Sequence, residues 1–275
     1  MKALCEVCMH KCLLAPGQYG ICRARCNEGG KVVSKNYGLL TSLALDPIEK
    51  KPLKIFAPGS LILSAGSFGC NLRCPFCQNH EISMVRYEKE DLRYVSPKEL
   101  TELAGQYQNR GNIGIAFTYN EPLVGYEYVR DTAKLVKKTG MKTVLVTNGS
   151  AALWVLEELL PYIDAMNIDL KGFRAEYYKK LGGDLKTVQD FIRHAAGHCH
   201  IELTTLIIPG ENDSQEEMEE EAQWIAAINP SIPLHVTRFF PRYHMQQTKA
   251  TLVETVYSLA GTAKKYLKHV FVGNC

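Results

Sequence analysis

Six apolar segments, each followed by a stretch with the pattern of a helix, occupy the sequence from residue 61 to residue 267. Strands that alternate with helices form parallel sheets through right-handed crossovers, and the helices cover the sheet. Six such units are too few for a closed barrel of eight strands. The pattern therefore predicts an α/β fold, a partial (β/α)6 TIM-like barrel.

The expected elements alternate regularly along the chain. Strands are expected at residues 61–65, 113–117, 143–146, 165–168, 201–207 and 234–239, with a final strand at 269–272. Helices are expected at residues 97–108, 123–138, 153–160, 185–196, 214–228 and 251–267. Ser96 with Glu99 and Ser214 with Glu217 have the capping-box spacing, which marks the starts of two of these helices.

The first expected strand leads into a loop that carries three cysteines. Cys70, Cys74 and Cys77 have the spacing C-x3-C-x2-C, and the aromatic Phe76 precedes the last of them. Three thiolates on a short loop suit an iron–sulfur cluster or zinc. A closed zinc site needs four ligands, so this loop leaves one metal position for a non-protein ligand. We favour the cluster; a zinc loop and incidental thiols are the alternatives.

Polar residues follow the expected strands at their carboxyl ends. In a parallel barrel the functional site lies at that end, so we expect a site that contains Glu121, Thr147, Asn148, Asp169, Lys171, His235 and Arg238. Each position has a structural alternative. Glu121 could start a helix, Asn148 could form a turn, Asp169 and Lys171 could form a local ion pair, and His235 could be a core histidine. The joint placement of these residues favours a binding site.

The N-terminal region is expected to be a separate cysteine-rich metal-binding segment, residues 1–58, which precedes a barrel domain at residues 59–275. It offers a four-thiolate set with the spacing C-x2-C-x3-C-x9-C, formed by Cys5, Cys8, Cys12 and Cys22. Such a set suits zinc or an auxiliary iron–sulfur cluster. Free thiols in an unmetallated segment are the alternative.

Charge and cysteine usage exclude several classes of function. The 275 residues include 32 basic and 29 acidic side chains, a balance that does not favour nucleic acid or an anionic membrane as partner. No apolar run is long enough to span a bilayer, and the N-terminus lacks an apolar signal region. Clustered cysteines without an export signal favour metal chemistry in a reducing compartment. We therefore expect a cytoplasmic protein.

The motifs resemble those of radical S-adenosylmethionine (SAM) enzymes, in particular the pyruvate formate-lyase activating enzymes. The matching stretches are residues 70–79, 147–149 and 169–171. The resemblance implies a [4Fe–4S] cluster on the three loop cysteines, with SAM on its fourth iron and adenine beside Phe76. It also implies that Glu121 binds the SAM amino group and that Asp169 and Lys171 lie near SAM. The full set of expected cofactor contacts is Phe76, Asn79, Glu121, Thr147, Asn148, Asp169, Lys171, His235 and Arg238.

A second likeness concerns the AmmeMemoRadiSam group of radical SAM proteins. It includes the N-terminal cysteines and residues 45–53, 118–122, 208–213 and 235–239. The resemblance to the activating enzymes implies reductive cleavage of SAM, hydrogen abstraction from a glycyl site of a protein substrate, and an electron donor such as flavodoxin or ferredoxin, whereas the likeness to the AmmeMemoRadiSam group implies no particular substrate. Another, unidentified substrate is the alternative. A zinc-binding structural or adaptor protein is the rival class, which the cysteine content alone supports.

Overall fold

The structure is a computed structural model that describes residues 1–85 and 92–275. Its strands, β1 to β14, are Ala3–Leu4, Leu13–Leu14, Arg25–Glu28, Lys31–Ser34, Leu39–Leu40, Ser42–Pro47, Leu61–Gly66, Arg93–Tyr94, Asn112–Phe117, Lys142–Thr147, Ala165–Asp169, His200–Ile207, Leu234–Arg238 and Val270–Gly273. Its α-helices, α1 to α8, are His80–Ser83, Pro97–Gln106, Tyr126–Lys138, Leu153–Leu159, Ala175–Lys180, Leu185–Ala196, Gln215–Ile228 and Val253–Ala263.

The main sheet has eight strands in the order β14-β13-β12-β11-β10-β9-β7-β6. Neighbours from β7 to β14 pair in parallel, and β6 pairs antiparallel with β7. The six expected strands and the final strand all belong to this sheet. The helices between them pack on its outer face through one extensive apolar core. The expected partial barrel is confirmed.

The inner face of the sheet is apolar at one end and polar at the other. Ile62, Ala116, Val144 and Ala165, one from each of four neighbouring strands, pack together, and the segment after β6 contributes Ile48 and Leu53 to the same cluster. Successive strand residues point to opposite faces. Every second residue after these apolar positions therefore faces the interior as well. The apolar cluster closes the lower end of the barrel, and the polar carboxyl ends remain available for a site.

The two predicted capping boxes differ in the structure: the one at α2 is complete, and the one at α7 is not. At α2 the Ser96 side chain accepts from Glu99 N, and the Glu99 carboxylate accepts from Ser96 N, so the capping box is complete. At α7 the Ser214 hydroxyl accepts from Glu217 N at 3.1 Å. The Glu217 carboxylate instead accepts from Phe173 N, in the loop between β11 and α5.

The N-terminal region forms two small antiparallel hairpins, β1–β2 and β3–β4. It contacts the barrel through a hydrogen bond from Ala152 N to Val7 O at 2.9 Å. Strand β6, which lies within residues 1–58, adds an edge strand to the barrel sheet, so this region and the barrel share one sheet. In the described part of the chain, no helix combines the length and apolar character needed to cross a membrane.

Candidate functional site

A cavity of about 720 Å³ opens at the carboxyl ends of the strands. Its volume lies in the range of sites for small ligands and cofactors. The structure brings together there eleven of the residues expected from the sequence, namely Cys70, Cys74, Phe76, Cys77, Asn79, Glu121, Thr147, Asn148, Asp169, Lys171 and His235.

The cysteine loop is held by hydrogen bonds at its turns. Arg73 N donates to Leu181 O at 2.7 Å, and Cys77 N donates to Cys74 O at 3.2 Å. Burial raises the pKa of Cys74 to about 12, and burial together with the nearby Glu121 charge holds the pKa of Cys70 well above its ordinary value. These thiols are therefore protonated until a metal displaces their protons.

The donor set of the loop fits a [4Fe–4S] cluster. Within residues 1–85 and 92–275, no three histidine, cysteine, aspartate or glutamate side chains converge closely enough to hold one metal ion. A [4Fe–4S] cluster places each cysteine on a different iron, so its three ligands need not converge on one point. Cys70, Cys74 and Cys77 satisfy that requirement, since they line the same cavity from one short loop.

Glu121 is a buried carboxylate beside the cysteine loop. Its oxygens accept from Thr147 Oγ1 at 2.7 Å, Asn148 N at 2.7 Å and Leu123 N at 3.0 Å. Burial raises the pKa of Glu121 to about 7, although these hydrogen bonds lower it. A ligand cation next to Glu121 would favour the ionised form, so the site is suited to an ammonium group.

Asp169 and Lys171 form an ion pair that lines the same cavity. Lys171 Nζ lies 2.7 Å from Asp169 Oδ2, and both side chains are partly buried. Burial disfavours the Lys171 charge, but the Asp169 carboxylate raises the pKa of the lysine. The structural alternative raised from the sequence, a local ion pair, is thus present, and it forms part of the cavity wall.

Three further expected residues differ in how they contact the cavity. Phe76 packs in an apolar cluster beside the cysteine loop, and Asn79 Nδ2 donates to Tyr119 O at 2.8 Å. His235 lines the cavity, but its Nε2 donates to Glu202 Oε2 at 2.7 Å. Its ring is therefore engaged with a buried carboxylate.

Arg238 is not brought to the cavity. Strand alternation turns Thr237 inward and the next residue, Arg238, outward. Arg238 Nε donates to Thr251 O at 2.7 Å, and its guanidinium stacks over the Phe240 ring with 4.8 Å between Cζ and the centroid. These contacts give Arg238 a scaffold role.

The N-terminal cysteine segment contacts the cysteine loop through a backbone hydrogen bond. Cys5 N donates to Cys12 O at 2.9 Å, and Cys70 N donates to Cys22 O at 3.2 Å. Burial raises the pKa of Cys8 to about 11. Among the described residues, these thiols do not converge on one point.

Sequence reasoning missed two groups of residues. Asn71 Oδ1 accepts from Asn148 Nδ2 at 2.9 Å, which ties the cysteine loop to the end of β10. Asp46 and Lys51 also line the cavity. Residues 45–53 contribute to the likeness to the AmmeMemoRadiSam group, but their sequence pattern does not indicate that they line the cavity.

The sequence profile of the Radical SAM superfamily matches residues 66–224, which contain the cysteine loop and Glu121, Asp169 and Lys171. The chain belongs to this superfamily, and it is therefore an enzyme whose family uses a [4Fe–4S] cluster and SAM.

Comparison with individual proteins gives a range of similarity. An uncharacterized protein of Methanocaldococcus jannaschii is 36% identical over 99% of this chain and 81% of its own length. The pyruvate formate-lyase 1-activating enzyme of Escherichia coli K12 is 28% identical over 54% of this chain and 61% of its own length.

A structural neighbour supports the fold. The crystal structure of a domain of pyruvate formate-lyase-activating enzyme from Bacteroides vulgatus matches 58% of this chain and 98% of that domain, with a TM-score of 0.51 and 17% identity. At that identity the likeness concerns the fold alone.

Proposed function

We propose that this protein is an activating-enzyme-like radical SAM oxidoreductase that abstracts hydrogen from a glycyl site of a protein. The observation that carries the proposal is the single cavity that contains both the three loop cysteines and the buried Glu121. When bound and reduced, the cluster supplies the electron that splits SAM into methionine and a 5′-deoxyadenosyl radical, which takes hydrogen from the substrate. Anaerobic incubation with SAM and dithionite, with assay of 5′-deoxyadenosine, tests the chemistry.

The residues of the chain have distinct tasks in this proposal. Cys70, Cys74 and Cys77 hold the cluster, and Glu121 accepts hydrogen bonds from the SAM ammonium. The Asp169–Lys171 pair would bind the SAM carboxylate through the lysine ammonium. Phe76 would contact adenine, and Asn79, Thr147, Asn148 and His235 would complete the cofactor side of the cavity. The protein thus contributes placement and exclusion of water.

The proposal also names a substrate, a glycyl site in a protein, and a one-electron donor. Similarity to an activating enzyme over 54% of the chain supports a glycyl site in a protein substrate. An electron donor such as flavodoxin or ferredoxin is required because the reaction consumes one electron. A glycyl radical detected by EPR in a partner protein mixed with this enzyme tests the specificity.

We further infer that the chain is a member of the AmmeMemoRadiSam group and that the N-terminal cysteines bind a second metal. The first inference rests on the matching stretches of sequence. The second rests on four thiols, Cys5, Cys8, Cys12 and Cys22, that lie in one small segment. Zinc and an auxiliary iron–sulfur cluster both suit this donor set.

A further inference from the structure

The wall of the cavity contains a buried polar group that the SAM site does not use. Asp46 Oδ2 accepts from Lys51 Nζ at 2.8 Å and from Tyr119 OH at 2.7 Å. The three side chains line the same cavity as the cysteine loop. Asp46 is on the edge strand β6, and Tyr119 follows β9, so the group depends on the assembled barrel.

The three groups have defined charges at neutral pH. Burial opposes the Asp46 charge, but hydrogen bonds from Lys51 and Tyr119 lower the pKa of Asp46 to about 2. Burial and the adjacent Asp46 carboxylate raise the pKa of Tyr119 to about 12. Burial lowers the pKa of Lys51, and Asp46 opposes that change. The 2.8 Å contact between Lys51 Nζ and Asp46 Oδ2 is that of an ion pair, and Tyr119 contributes a neutral phenol.

The unused hydrogen-bonding capacity of this group belongs to Lys51. Asp46 Oδ2 already accepts two hydrogen bonds, and Lys50 Nζ lies 3.6 Å from Oδ1. A lysine ammonium has three donors. In the described part of the chain, the hydrogen-bond acceptor of the Lys51 ammonium is Asp46. Lys51 is only 2% exposed, and its Nζ also lies 4.7 Å from the centroid of the Tyr119 ring, which occupies one side of the ammonium. The side of the ammonium that faces the cavity is left for a further acceptor.

The surrounding charges favour an anion over a neutral acceptor. Lys50 and Lys54 line the cavity beside Lys51. The nearby carboxylate of Glu49 is engaged, because its Oε1 accepts from Gly59 N at 2.7 Å. Lys50, Lys51 and Lys54 against Asp46 and Glu49 leave one net positive charge among the lining residues of this part of the wall.

Stability alone does not explain this arrangement. Buried ion pairs contribute little stability compared with apolar residues of the same volume. Tyr119 has a φ of +73°, a left-handed conformation that is unfavourable for tyrosine. A Cβ on Gly66 would lie 2.7 Å from the Tyr119 ring, so a glycine is needed where the ring passes. Such strain is typical of functional sites.

We propose that Lys51, held in place by Asp46 and Tyr119, binds an anionic group of the substrate, a carboxylate or a phosphate. The inference rests on the proposed radical function, since it assigns the remaining volume of that cavity to the molecule that loses hydrogen. Tyr119 is two residues from Glu121, and its carbonyl accepts from Asn79, so this site adjoins the SAM site. On a protein substrate, an acidic or phosphorylated side chain near the reacting residue supplies the anion.

The test titrates the reconstituted enzyme with inorganic phosphate and, separately, with succinate, by calorimetry at constant ionic strength. SAM is present throughout, so that neither anion can use the site for the SAM carboxylate. We expect saturable binding of at least one anion, and the preferred one identifies the chemistry as phosphate or carboxylate. Saturable binding of neither anion overturns the proposal.

A double variant tests the residue assignment without leaving an unpaired buried charge. Asp46→Asn combined with Lys51→Met should weaken binding of the preferred anion by at least about tenfold, the loss of one charge-assisted hydrogen bond. The matched control is Asp190→Asn with Lys186→Met, an exposed pair on α6 with the same charge change. The control should bind within about twofold of wild type. Equal affinity in both double variants overturns the assignment.

Two readouts keep the result interpretable. If thermal unfolding shows that the Asp46/Lys51 variant does not fold, wild-type crystals soaked in the preferred anion decide: anion density at Lys51 Nζ supports the site, and its absence there contradicts it. Formation of 5′-deoxyadenosine is measured on the same wild-type sample. Anion binding without 5′-deoxyadenosine contradicts the radical function alone, whereas 5′-deoxyadenosine without anion binding contradicts the anion site alone.

Discussion

The backbone N–H of Cys70 donates to the carbonyl oxygen of Cys22 across 3.2 Å. This bond joins the loop that is proposed to hold the cluster to the N-terminal cysteine segment. Gly69 makes the close approach possible, because it adopts a φ of +90° and a Cβ there would lie 2.6 Å from Cys22 O. The cysteine loop is thus positioned in part by the N-terminal segment.

Gly69→Ala should displace the cysteine loop and lower the iron content of the purified protein. The matched control is Gly111→Ala, because Gly111 has a φ of +88° but an added Cβ there meets no atom within 4 Å. The Gly111→Ala control should lose only about 1–2 kcal/mol of the free energy of unfolding, because alanine is unfavourable in the left-handed conformation. It should keep its iron. Iron analysis and thermal unfolding of both variants check this, and equal iron content in the two would refute it.

The N-terminal thiols should retain a metal when the cluster ligands are absent. A variant with Cys70, Cys74 and Cys77 changed to alanine, purified without oxygen, should contain about one zinc per chain or residual iron with sulfide. Elemental analysis distinguishes these two results.

The control for this measurement removes the proposed second ligands. Adding Cys5→Ser and Cys8→Ser to the triple variant should abolish the remaining metal. No metal in the triple variant, with residues 1–58 still resistant to protease, would show that the second site does not exist.

Glu121→Gln should weaken SAM binding by about ten- to a hundredfold, because a charge-assisted hydrogen bond contributes about 1.5–3 kcal/mol. Iron content should not change, since Glu121 is not a proposed cluster ligand. Glu221→Gln is a suitable control, because Glu221 is equally buried and burial raises its pKa to about 8, yet it bonds Thr205 away from the cavity. SAM affinity equal to that of wild type in Glu121→Gln would remove this residue from the site.

Glu202 should stabilise the barrel in a pH-dependent manner. Its carboxylate accepts from His200 Nε2, His235 Nε2 and the backbone N–H groups of Lys54 and Ile55 at 2.7–3.0 Å. Burial opposes its charge, but these hydrogen bonds hold its pKa far below the ordinary value. Its contribution is therefore complete above the unfolded-state pKa of about 4.3 and is lost as the pH falls below that value.

Glu202→Gln tests this contribution. The substitution should lower the free energy of unfolding by about 3 kcal/mol near pH 7, and the difference from wild type should shrink below about pH 4.3. Urea unfolding at several pH values measures it. A difference that grows toward acid pH would have the wrong sign for this account.

The sequence was sufficient to predict the barrel because hydrophobic periodicity marks each buried parallel strand. It did not reveal α5, which has only six residues and lies between β11 and α6. It also did not reveal β6 as a sheet strand, since an edge strand is defined by its partner, β7, and not by its own pattern.

The site was predictable to the extent that it depends on strand ends. Glu121 and Asp169 follow β9 and end β11 respectively, so topology alone places them on one rim. Arg238 is not among the lining residues of the cavity, because strand alternation turns Thr237 inward and the next residue outward. The contact of Asp46 with Tyr119 joins positions 73 residues apart and depends on the register of β6 on β7, which local sequence does not specify.

The most direct test of the central claim is 5′-deoxyadenosine formation by the anaerobically reconstituted protein with SAM and dithionite. Cys74→Ala serves as the site variant, and Cys199→Ala is the control, since Cys199 is a partly buried thiol outside the cavity. The account predicts 5′-deoxyadenosine from wild type and Cys199→Ala and none from Cys74→Ala. Wild-type levels of product from Cys74→Ala would contradict it.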